Sequence, residues 1–270
     1  MSDFSEIHDV LVETRSDVLW ITINRPEKRN AINESVIRQI REAIEKAPLD
    51  PALRAIVLTG AGDKTFCAGA DLGPSVQGGA FQIDYANPRH YVIDLFKALE
   101  ECPLPVIARV NGHAVAGGFG LMCACDMAVA ADDARFGTPE SKIGVAPMMI
   151  LGHMLRVLPR RKLLEMCITG ELFDATTMLE LGVLNYIAPR AELDATLARL
   201  LANITNKSPT AIKLFKQGFH SMQDMSLREC FEYAQIMISI MASTDDAREG
   251  RASFQEKRPA RWALPREENA

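Results

Sequence analysis

The chain has no excess of positive charge. Its 30 Lys and Arg residues are outnumbered by 35 Asp and Glu residues, which gives a formal net charge of −5. Nucleic acids and anionic membrane surfaces attract proteins through dense positive charge. We therefore expect neither of them as a partner, and any site for an acidic ligand must be a local cluster of cations.

Long apolar runs are also missing. The best candidate, which begins near Phe119, is broken by Asp126, well short of the roughly 20 apolar residues that cross a bilayer. Residues 1–6 contain neither the cationic nor the apolar region of a signal peptide. These features predict a cytoplasmic protein that does not associate with membranes.

The six cysteines form no C-x-x-C motif and no zinc-like spacing with histidine. Cys123 and Cys125 lie in an apolar run and are typical of small buried residues. Cys67 has no partner histidine close to it in the sequence, which argues against a thiol nucleophile. We expect no metal site.

Two segments of small residues are the most informative feature of the chain. Residues 66–72 (FCAGADL) follow an apolar run at 55–60, and residues 111–118 (NGHAVAGG) follow another at 106–110. Glycine and alanine leave main-chain N–H groups uncovered, so that a ligand atom can approach them. Two such donors that converge from separate loops would form an oxyanion hole.

The hydrophobic periodicity predicts an α/β core followed by a helical region. Strands are predicted over residues 10–13, 18–24, 54–59, 106–110 and 127–131, and helices over 34–47 and 91–101. Four further helices are predicted over 193–206, 209–222, 226–243 and 244–256. We place the core domain at residues 1–190 and the helical region at 191–270. Residues 73–87 read as a mobile loop.

Two polar residues near the small-residue segments are predicted to be structural. His113 is interpreted as a buried, hydrogen-bonded histidine rather than a catalytic one. Asp126, at the end of a predicted buried strand, is expected to accept hydrogen bonds from backbone donors. Neither residue is assigned to the chemistry.

Ordered landmarks along the chain resemble those of the crotonase superfamily, the enoyl-coenzyme A hydratases and isomerases. They lie at residues 24–33, 66–72, 111–118, 136–140, 163–170, 181–184 and 254–259. The resemblance implies a spiral of ββα repeats with a C-terminal, all-helical trimerisation region. It also implies an acyl-coenzyme A (acyl-CoA) thioester as substrate, a homotrimer or a dimer of trimers, and no cofactor beyond the CoA of the substrate.

The resemblance also assigns catalytic groups. The backbone N–H groups of Ala70 and Gly117 would hold the oxygen of an enolate, and Glu140 would be the acid/base. A glutamate in such a pocket is expected to have a raised pKa because burial disfavours its charged form. Four neighbours in the same segments are expected to border the substrate, namely Ala68, Asp71, Leu72 and Gly118; Asp71 should also pin its loop.

Further positions are expected to bind the rest of the substrate. Met148 would line the apolar acyl pocket. Arg25 and Lys28 match a loop that in relatives flanks the adenine and the phosphates of CoA. Phe254 and Lys257 match a tail motif that in relatives reaches the ligand of a neighbouring subunit. Cations near phosphate supply charge-assisted hydrogen bonds.

One departure from the family pattern leaves the reaction open. Two-carboxylate hydratases have a second glutamate where this chain has Gly120, and dehalogenase or ring-closing relatives would have an aspartate where it has residues 146–149 (APMM). Our leading hypothesis is an enoyl-CoA hydratase, with a branched or glutaconyl-type thioester as a candidate substrate. The alternatives are a Δ3,Δ2-enoyl-CoA isomerase with Glu140 as its single proton shuttle, and a non-catalytic acyl-CoA-binding paralogue.

Overall fold

The computed structural model describes residues 8–72, 85–86 and 89–264. The described strands are β1 Val10–Arg15, β2 Val18–Ile23, β3 Ala55–Gly60, β4 Thr65–Cys67, β5 Val106–Val110, β6 His113–Val115, β7 Met127–Ala131, β8 Arg135–Gly137, β9 Phe173–Asp174 and β10 Tyr186–Ala188. The described helices are α1 Glu34–Lys46, α2 Tyr91–Glu101, α3 Gly117–Cys123, α4 Met148–Val157, α5 Arg160–Thr169, α6 Ala175–Glu180, α7 Leu193–Thr205, α8 Pro209–Met222, α9 Leu227–Ala242 and α10 Asp245–Gln255.

Six strands form the central sheet in the order β1-β2-β3-β5-β7-β10. Strand β1 is antiparallel to β2, and the remaining neighbours are parallel. Strand β3 is buried over its whole length, with Ile56 and Leu58 in one apolar cluster and Ala55 and Val57 in the other. A parallel strand covered on both faces reads as a continuous apolar run, which is why the sequence pattern locates β3 so clearly.

A second sheet of four short strands, in the order β4-β6-β8-β9, carries the two small-residue segments. Strands β4, β6 and β8 are parallel, so their carboxyl ends lie at one edge. Residues 68–72 follow β4, Ala116 and α3 follow β6, and Thr138 and Glu140 follow β8. Consecutive parallel strands therefore bring the three segments to a common edge.

Helices α1 and α2 cover one face of the core. Helix α1 begins at Asn33, whose side chain accepts a hydrogen bond from the N–H of Val36 at 2.9 Å. Its buried residues, Val36, Ile37, Ile40 and Ile44, lie on one stripe with helical spacing. Both helices contribute to the larger apolar cluster, which also contains Leu95, Phe96 and Leu99 of α2.

The helical region begins by packing on the central sheet. Leu193, Leu197 and Ile204 of α7 belong to the apolar cluster that also contains Val57 and Val129. Helix α7 therefore covers the face opposite α1 and α2. The division of the chain at residue 190 stays a prediction, since packing joins this first tail helix to the core.

Helices α8 and α9, by contrast, leave large apolar side chains exposed. Their exposed members are Phe215, Phe219, Leu227, Phe231, Ile236, Ile238 and Ile240. Between the two helices lies a groove of about 490 Å³ lined by Leu214, Phe215, Gly218, Phe219, Met222, Gln223, Tyr233, Ala234, Met237, Ile238 and Met241. An apolar surface of this kind is typical of a protein interface.

A buried ion pair fastens α8 to the core. The ammonium of Lys216, a residue 7% exposed, donates to Asp126 Oδ2 at 2.6 Å and to the carbonyl of Leu104 at 3.0 Å. The same Asp126 oxygen accepts from the N–H of Val106 at 2.7 Å. The prediction that Asp126 accepts from backbone donors is thus confirmed, and its cationic partner was not foreseen.

The α/β fold class and the helical C-terminal region are confirmed. The predicted strands and long helices are present with boundaries shifted by at most two residues, and the five strands not predicted have two or three residues each. The prediction that His113 is buried was wrong: its side chain points outward from β6, and its Nδ1 accepts from the N–H of Arg135 at 3.1 Å. The predicted loop at 73–87 lies outside the described residues, apart from 85–86.

None of the helices in the described part of the chain is long and apolar enough to cross a membrane.

Removal of the Lys216 ammonium should destabilise the fold strongly. Lys216→Met would leave Asp126 and the Leu104 carbonyl without their cationic donor, and an uncompensated buried charge costs about 3 kcal/mol or more. Lys46→Met is the matched control because Lys46 is exposed and pairs with Glu42 at 3.4 Å, a contact worth at most about 1 kcal/mol. Urea unfolding measures both; equal effects would contradict this role for Lys216.

Candidate active site

The two small-residue segments pack backbone against backbone. Gly69 has a φ of +89°, and a Cβ placed on it would lie 2.9 Å from the backbone nitrogen of Gly117 and 2.9 Å from the Cβ of Ala116. A Cβ on Gly117 would lie 3.7 Å from the backbone nitrogen of Ala70. Residue 69 must therefore be glycine, and Ala70 and Gly117 lie close to each other.

The first segment is held by a short parallel bridge between Ile32 and Ala70. The N–H of Ile32 donates to the carbonyl of Gly69 at 2.8 Å, and the N–H of Asp71 donates to the carbonyl of Ile32 at 2.9 Å. This pairing uses the residues on both sides of Ala70. The N–H of Ala70 itself takes no part in the pairing, and it has no acceptor within the part of the chain that the structure describes.

A buried guanidinium fixes the end of the same segment. Arg25 is 4% exposed, and it donates to Asp71 Oδ2 at 2.8 Å and to the carbonyl of Ala31 at 2.6 Å. Lys28, which is exposed, lies 3.6 Å from the same carboxylate oxygen. The prediction that Asp71 pins its loop agrees with these contacts, and the guanidinium of Arg25 holds the loop.

The second segment turns sharply into α3 at Ala116, whose φ is +53° although it has a side chain. Such a conformation costs roughly 1–3 kcal/mol and persists only where neighbours enforce it. Here the N–H of Ala116 donates to the carbonyl of Gly137 at 2.8 Å. A Cβ on Gly118 would lie 2.1 Å from the carbonyl oxygen of Cys67, so the first turn of α3 can approach β4 only through a glycine.

A cavity of about 430 Å³ opens beside the two segments. Apart from Tyr91, Glu140 and Lys142, the side chains around it are apolar. The lining residues are Ile32, Ile37, Ala68, Ala70, Leu72, Tyr91, Val92, Leu95, Phe96, Val115, Ala116, Gly117, Leu121, Pro139, Glu140, Lys142, Ile143, Ala146, Pro147, Met148, Met149 and Ile150. Such a mainly apolar cleft with few polar groups is typical of a small-molecule site.

Glu140 stands in this cavity with one of its two carboxylate oxygens unpartnered in the described part of the chain. It lies in a 3₁₀ helix, Pro139–Ile143, that follows β8. Its Oε2 is buried, and among the described residues it has no hydrogen-bond partner. Burial raises the pKa of the Glu140 carboxyl, and a hydrogen bond with its own backbone opposes this only in part. A carboxyl group held closer to neutrality suits proton transfer.

Six of the residues predicted for the site border the cavity, namely Ala68, Ala70, Leu72, Gly117, Glu140 and Met148. The other predicted residues are Arg25, Lys28, Asp71, Gly118, Phe254 and Lys257, and they are not among its lining residues. Phe254 and Lys257 are exposed near the end of α10. Burial raises the pKa of the Cys67 thiol to about 12, which agrees with the expectation that Cys67 is not a nucleophile.

The sequence reasoning missed two walls of the cavity. Tyr91 and Phe96 come from α2, which was predicted as a helix without any functional role, and Ile150 comes from the first turn of α4. A helical pattern places such residues on a buried face, but it does not show that the face borders a cavity. The one sequence signal for Ile150 was the apolar run that begins at Met148, of which only the first residues were assigned to the acyl pocket.

Helix α4 occupies the space that the side chain of the second glutamate of two-carboxylate hydratases would need at residue 120. A Cβ built on Gly120 would lie 2.1 Å from Cγ2 and 2.2 Å from Cβ of Ile150. Gly120 is buried and does not border the cavity, whereas Ile150 does. The departure at residue 120 is therefore matched by the packing around it, and no side chain fits there while α4 stays in place.

Comparison with known proteins decides the family. The sequence model of the enoyl-CoA hydratase/isomerase family matches residues 13–265. The chain belongs to this family. It is similar to a protein of Thermus thermophilus described as a "Putative enoyl-CoA hydratase", with 33% identity over 253 residues that cover 92% of this chain and 98% of the relative.

Solved structures of the family share the fold over nearly the whole chain. An enoyl-CoA hydratase of Mycobacterium smegmatis superposes with a TM-score of 0.87 at 29% identity, covering 95% of this chain and 100% of that one. An enoyl-CoA hydratase of Mycobacterium tuberculosis H37Rv superposes with a TM-score of 0.84 at 31% identity, covering 94% and 98% of the two chains. The crotonase-type fold predicted from the sequence is thereby confirmed.

The packing of α4 on α3 leads to a paired prediction about two glycines. Gly120→Ala should lower the free energy of unfolding by about 1–3 kcal/mol, because overpacking forces the two helices apart. Gly152→Ala, in α4, is the control: a Cβ there has no neighbour within 4 Å, and alanine favours an exposed helix by up to about 1 kcal/mol. The two variants should thus shift stability in opposite directions, as measured by denaturant unfolding; a stabilised Gly120→Ala protein would refute the close packing.

Proposed function

We propose that the protein is an enoyl-CoA hydratase that adds water across a 2-enoyl-CoA thioester, with Glu140 as its single acid/base. The observation that carries this proposal is the buried Oε2 of Glu140, which has no partner among the described residues and borders the same apolar cavity as Ala70 and Gly117. The hydratases among its relatives support the same reaction class.

The thioester carbonyl would accept hydrogen bonds from the N–H groups of Ala70 and Gly117. Addition at Cβ moves the electrons of the double bond to the carbonyl oxygen, and these donors stabilise the resulting enolate. Loss of one donor from such a pair typically lowers the rate by about 10²–10³. Since the donors belong to the backbone and are fixed by close packing, they need no reorganisation during the reaction.

Glu140 would act twice in one cycle. Its carboxylate first accepts a proton from a water molecule while the water oxygen bonds to Cβ. The protonated carboxyl then returns that proton to Cα as the enolate collapses, so that one hydrogen and one hydroxyl are added and Glu140 is regenerated. A raised pKa of Glu140 helps both steps, because it reduces the free-energy difference between the protonated and the ionised carboxyl near neutral pH. The scheme uses no cofactor beyond the CoA of the substrate.

The lining of the cavity favours a neutral acyl group over a glutaconyl-type one. Lys142 is the only cation among its lining residues in the described part of the chain, and its ammonium donates to Glu171 at 3.0 Å. A carboxylate on the acyl group would therefore compete with an existing ion pair. We propose an uncharged acyl chain, which the methionine and isoleucine side chains can contact without loss of hydration of a charge.

A Δ3,Δ2-enoyl-CoA isomerase is the second candidate, and the contact between Gly120 and Ile150 favours it. An isomerase needs one group to move a proton between the α and γ carbons, and it gains nothing from a second carboxylate that would hold water. The apolar wall formed by Ile150 and Leu121 on that side would suit a reaction that excludes water. Both candidates share the enolate and the role of Glu140.

We further propose that the polar part of CoA is bound outside the cavity. Lys28 is exposed beside the first segment, and it would meet the adenine and phosphate end of the ligand, while buried Arg25 positions the loop. Phe254 and Lys257, which lie at the end of α10 and outside the cavity lining, would reach the ligand of a neighbouring subunit in a homotrimer or a dimer of trimers. A cytoplasmic location stays a prediction.

Glu140→Gln tests the assignment of the acid/base. The amide cannot exchange the proton, so turnover should fall by about 10²–10⁴. Stability at neutral pH should be equal or higher: burial raises the folded-state pKa of Glu140, so its charged form destabilises the fold above that pKa. The increase in thermal midpoint of Glu140→Gln over the wild type should shrink as the pH falls through the raised pKa of Glu140. Glu165→Gln, at an exposed residue paired with Lys162, is the control and should change neither turnover nor midpoint.

Product analysis in isotopic water separates the two candidates. With ¹⁸O-labelled water, a hydratase places the label at Cβ of a 2-enoyl thioester, whereas an isomerase converts a 3-enoyl thioester and incorporates no oxygen. Mass spectrometry of products from both substrates gives the answer. Wild-type turnover in Glu140→Gln would show that another group transfers the proton.

The exposed face of α8 and α9 predicts assembly into trimers or hexamers. Light scattering at micromolar protein should give a mass three or six times that of the chain, and a monomer would contradict the proposal. Ile238→Asp places a charge on a side chain that is 62% exposed and borders the groove, and it should yield smaller species. Leu49→Asp, at an 81% exposed leucine near the end of α1, should leave the mass unchanged.

A further inference from the structure

Next to α3, the wall of the cavity includes a side chain of α4 that covers Gly120. Ile150 is 4% exposed, lies in the first turn of α4 and borders the cavity, whereas Gly120 beneath it does not. The Cγ2, Cβ and Cδ1 atoms of Ile150 lie 2.1, 2.2 and 3.0 Å from the position of a Cβ on Gly120. The isoleucine thus fills the volume that a side chain at residue 120 would otherwise take.

This wall lies close to where the reaction would occur. Gly120 follows Gly117 by three residues, so the two lie on the same face of α3 and are separated by about 4.5 Å along the helix axis. If the N–H of Gly117 holds the thioester oxygen, the α and β carbons of the acyl group extend only two bonds beyond the carbonyl carbon. A branched side chain over Gly120 then faces substituents on those carbons.

We propose that Ile150 is the specificity-determining residue for substitution at Cβ of the acyl group. This inference rests on the proposed function, because it takes the thioester oxygen to lie at Ala70 and Gly117. The methyl groups of Ile150 leave room for a hydrogen at Cβ and exclude a methyl branch. The protein therefore prefers straight-chain enoyl thioesters to β-methyl-branched ones.

The preference is tested by kcat/KM for two thioesters of CoA, 2-butenoyl and 3-methyl-2-butenoyl. Ile150→Ala removes three carbons from the wall, and the ratio of branched to straight substrate should rise at least about tenfold, the range that one methylene-sized difference gives. Met149→Ala is the matched control: Met149 also borders the cavity, but the three atoms nearest to a Cβ on Gly120 all belong to Ile150. The ratio of branched to straight substrate for Met149→Ala should stay within about threefold of the wild-type ratio.

Two further measurements keep the test decisive. Ile150→Val and Ile150→Leu preserve most of the packing and serve as variants if Ile150→Ala fails to fold. Valine should slightly raise the kcat/KM ratio of branched to straight substrate. Leucine should change this ratio because the branch of its side chain lies one carbon further out. Calorimetric titration with the saturated analogues, butanoyl-CoA and 3-methylbutanoyl-CoA, reports the same selectivity without turnover.

The outcomes separate the inference from the proposed function. Wild-type protein that binds the saturated thioesters selectively but converts neither enoyl substrate would end the proposed reaction and leave the role of Ile150 standing. Variants whose binding and kcat/KM ratios equal those of the wild type, or of Met149→Ala, would overturn the role of Ile150. Wild-type protein that binds no acyl-CoA at all would overturn both.

Discussion

The site depends on a close approach between two stretches of backbone. The turn after β4 and the start of α3 touch through atoms that leave no space for side chains: a Cβ on Gly118 would overlap the Cys67 carbonyl, and one on Gly69 would reach the nitrogen of Gly117. The parallel order of β4, β6 and β8 brings these turns together, and Arg25 and Ile32 fix the first of them from behind. That contact brings Ala70 and Gly117 to the cavity that Glu140 also borders.

The buried carboxylate of Glu140 in the cavity reduces the stability of the fold. A carboxylate with a buried, unpartnered oxygen loses hydration that nothing in the described protein restores. Other buried charges of the chain are paired instead: Lys216 donates to Asp126, and Arg25 donates to Asp71. Catalytic groups are often held in such unfavourable settings, and under the proposed mechanism the Oε2 atom of Glu140 exchanges the substrate proton.

The sequence predicted those features that depend on local pattern. Buried strands such as β3 and amphipathic helices such as α2 carry their periodicity in the chain itself, and small residues at 68–70 and 116–118 indicated a close backbone approach. Strands of two or three residues are too short to show a period, so β6 and β9 were not expected. The covering of Gly120 by Ile150 and the pairing of Lys216 with Asp126 depend on which elements meet in space, which no local pattern reveals.

The contact between Gly120 and Ile150 also has a consequence for protein engineering. Because Ile150 fills the volume beside residue 120, no single substitution can place a carboxylate there. A two-carboxylate site in this chain would need glycine or a displaced backbone at residue 150 before an acid at residue 120 could be tolerated, and a protein changed only at residue 150 would have a hole in its core. The order of the two substitutions is therefore fixed: the side chain at residue 150 must be cut back first, and the acid added second.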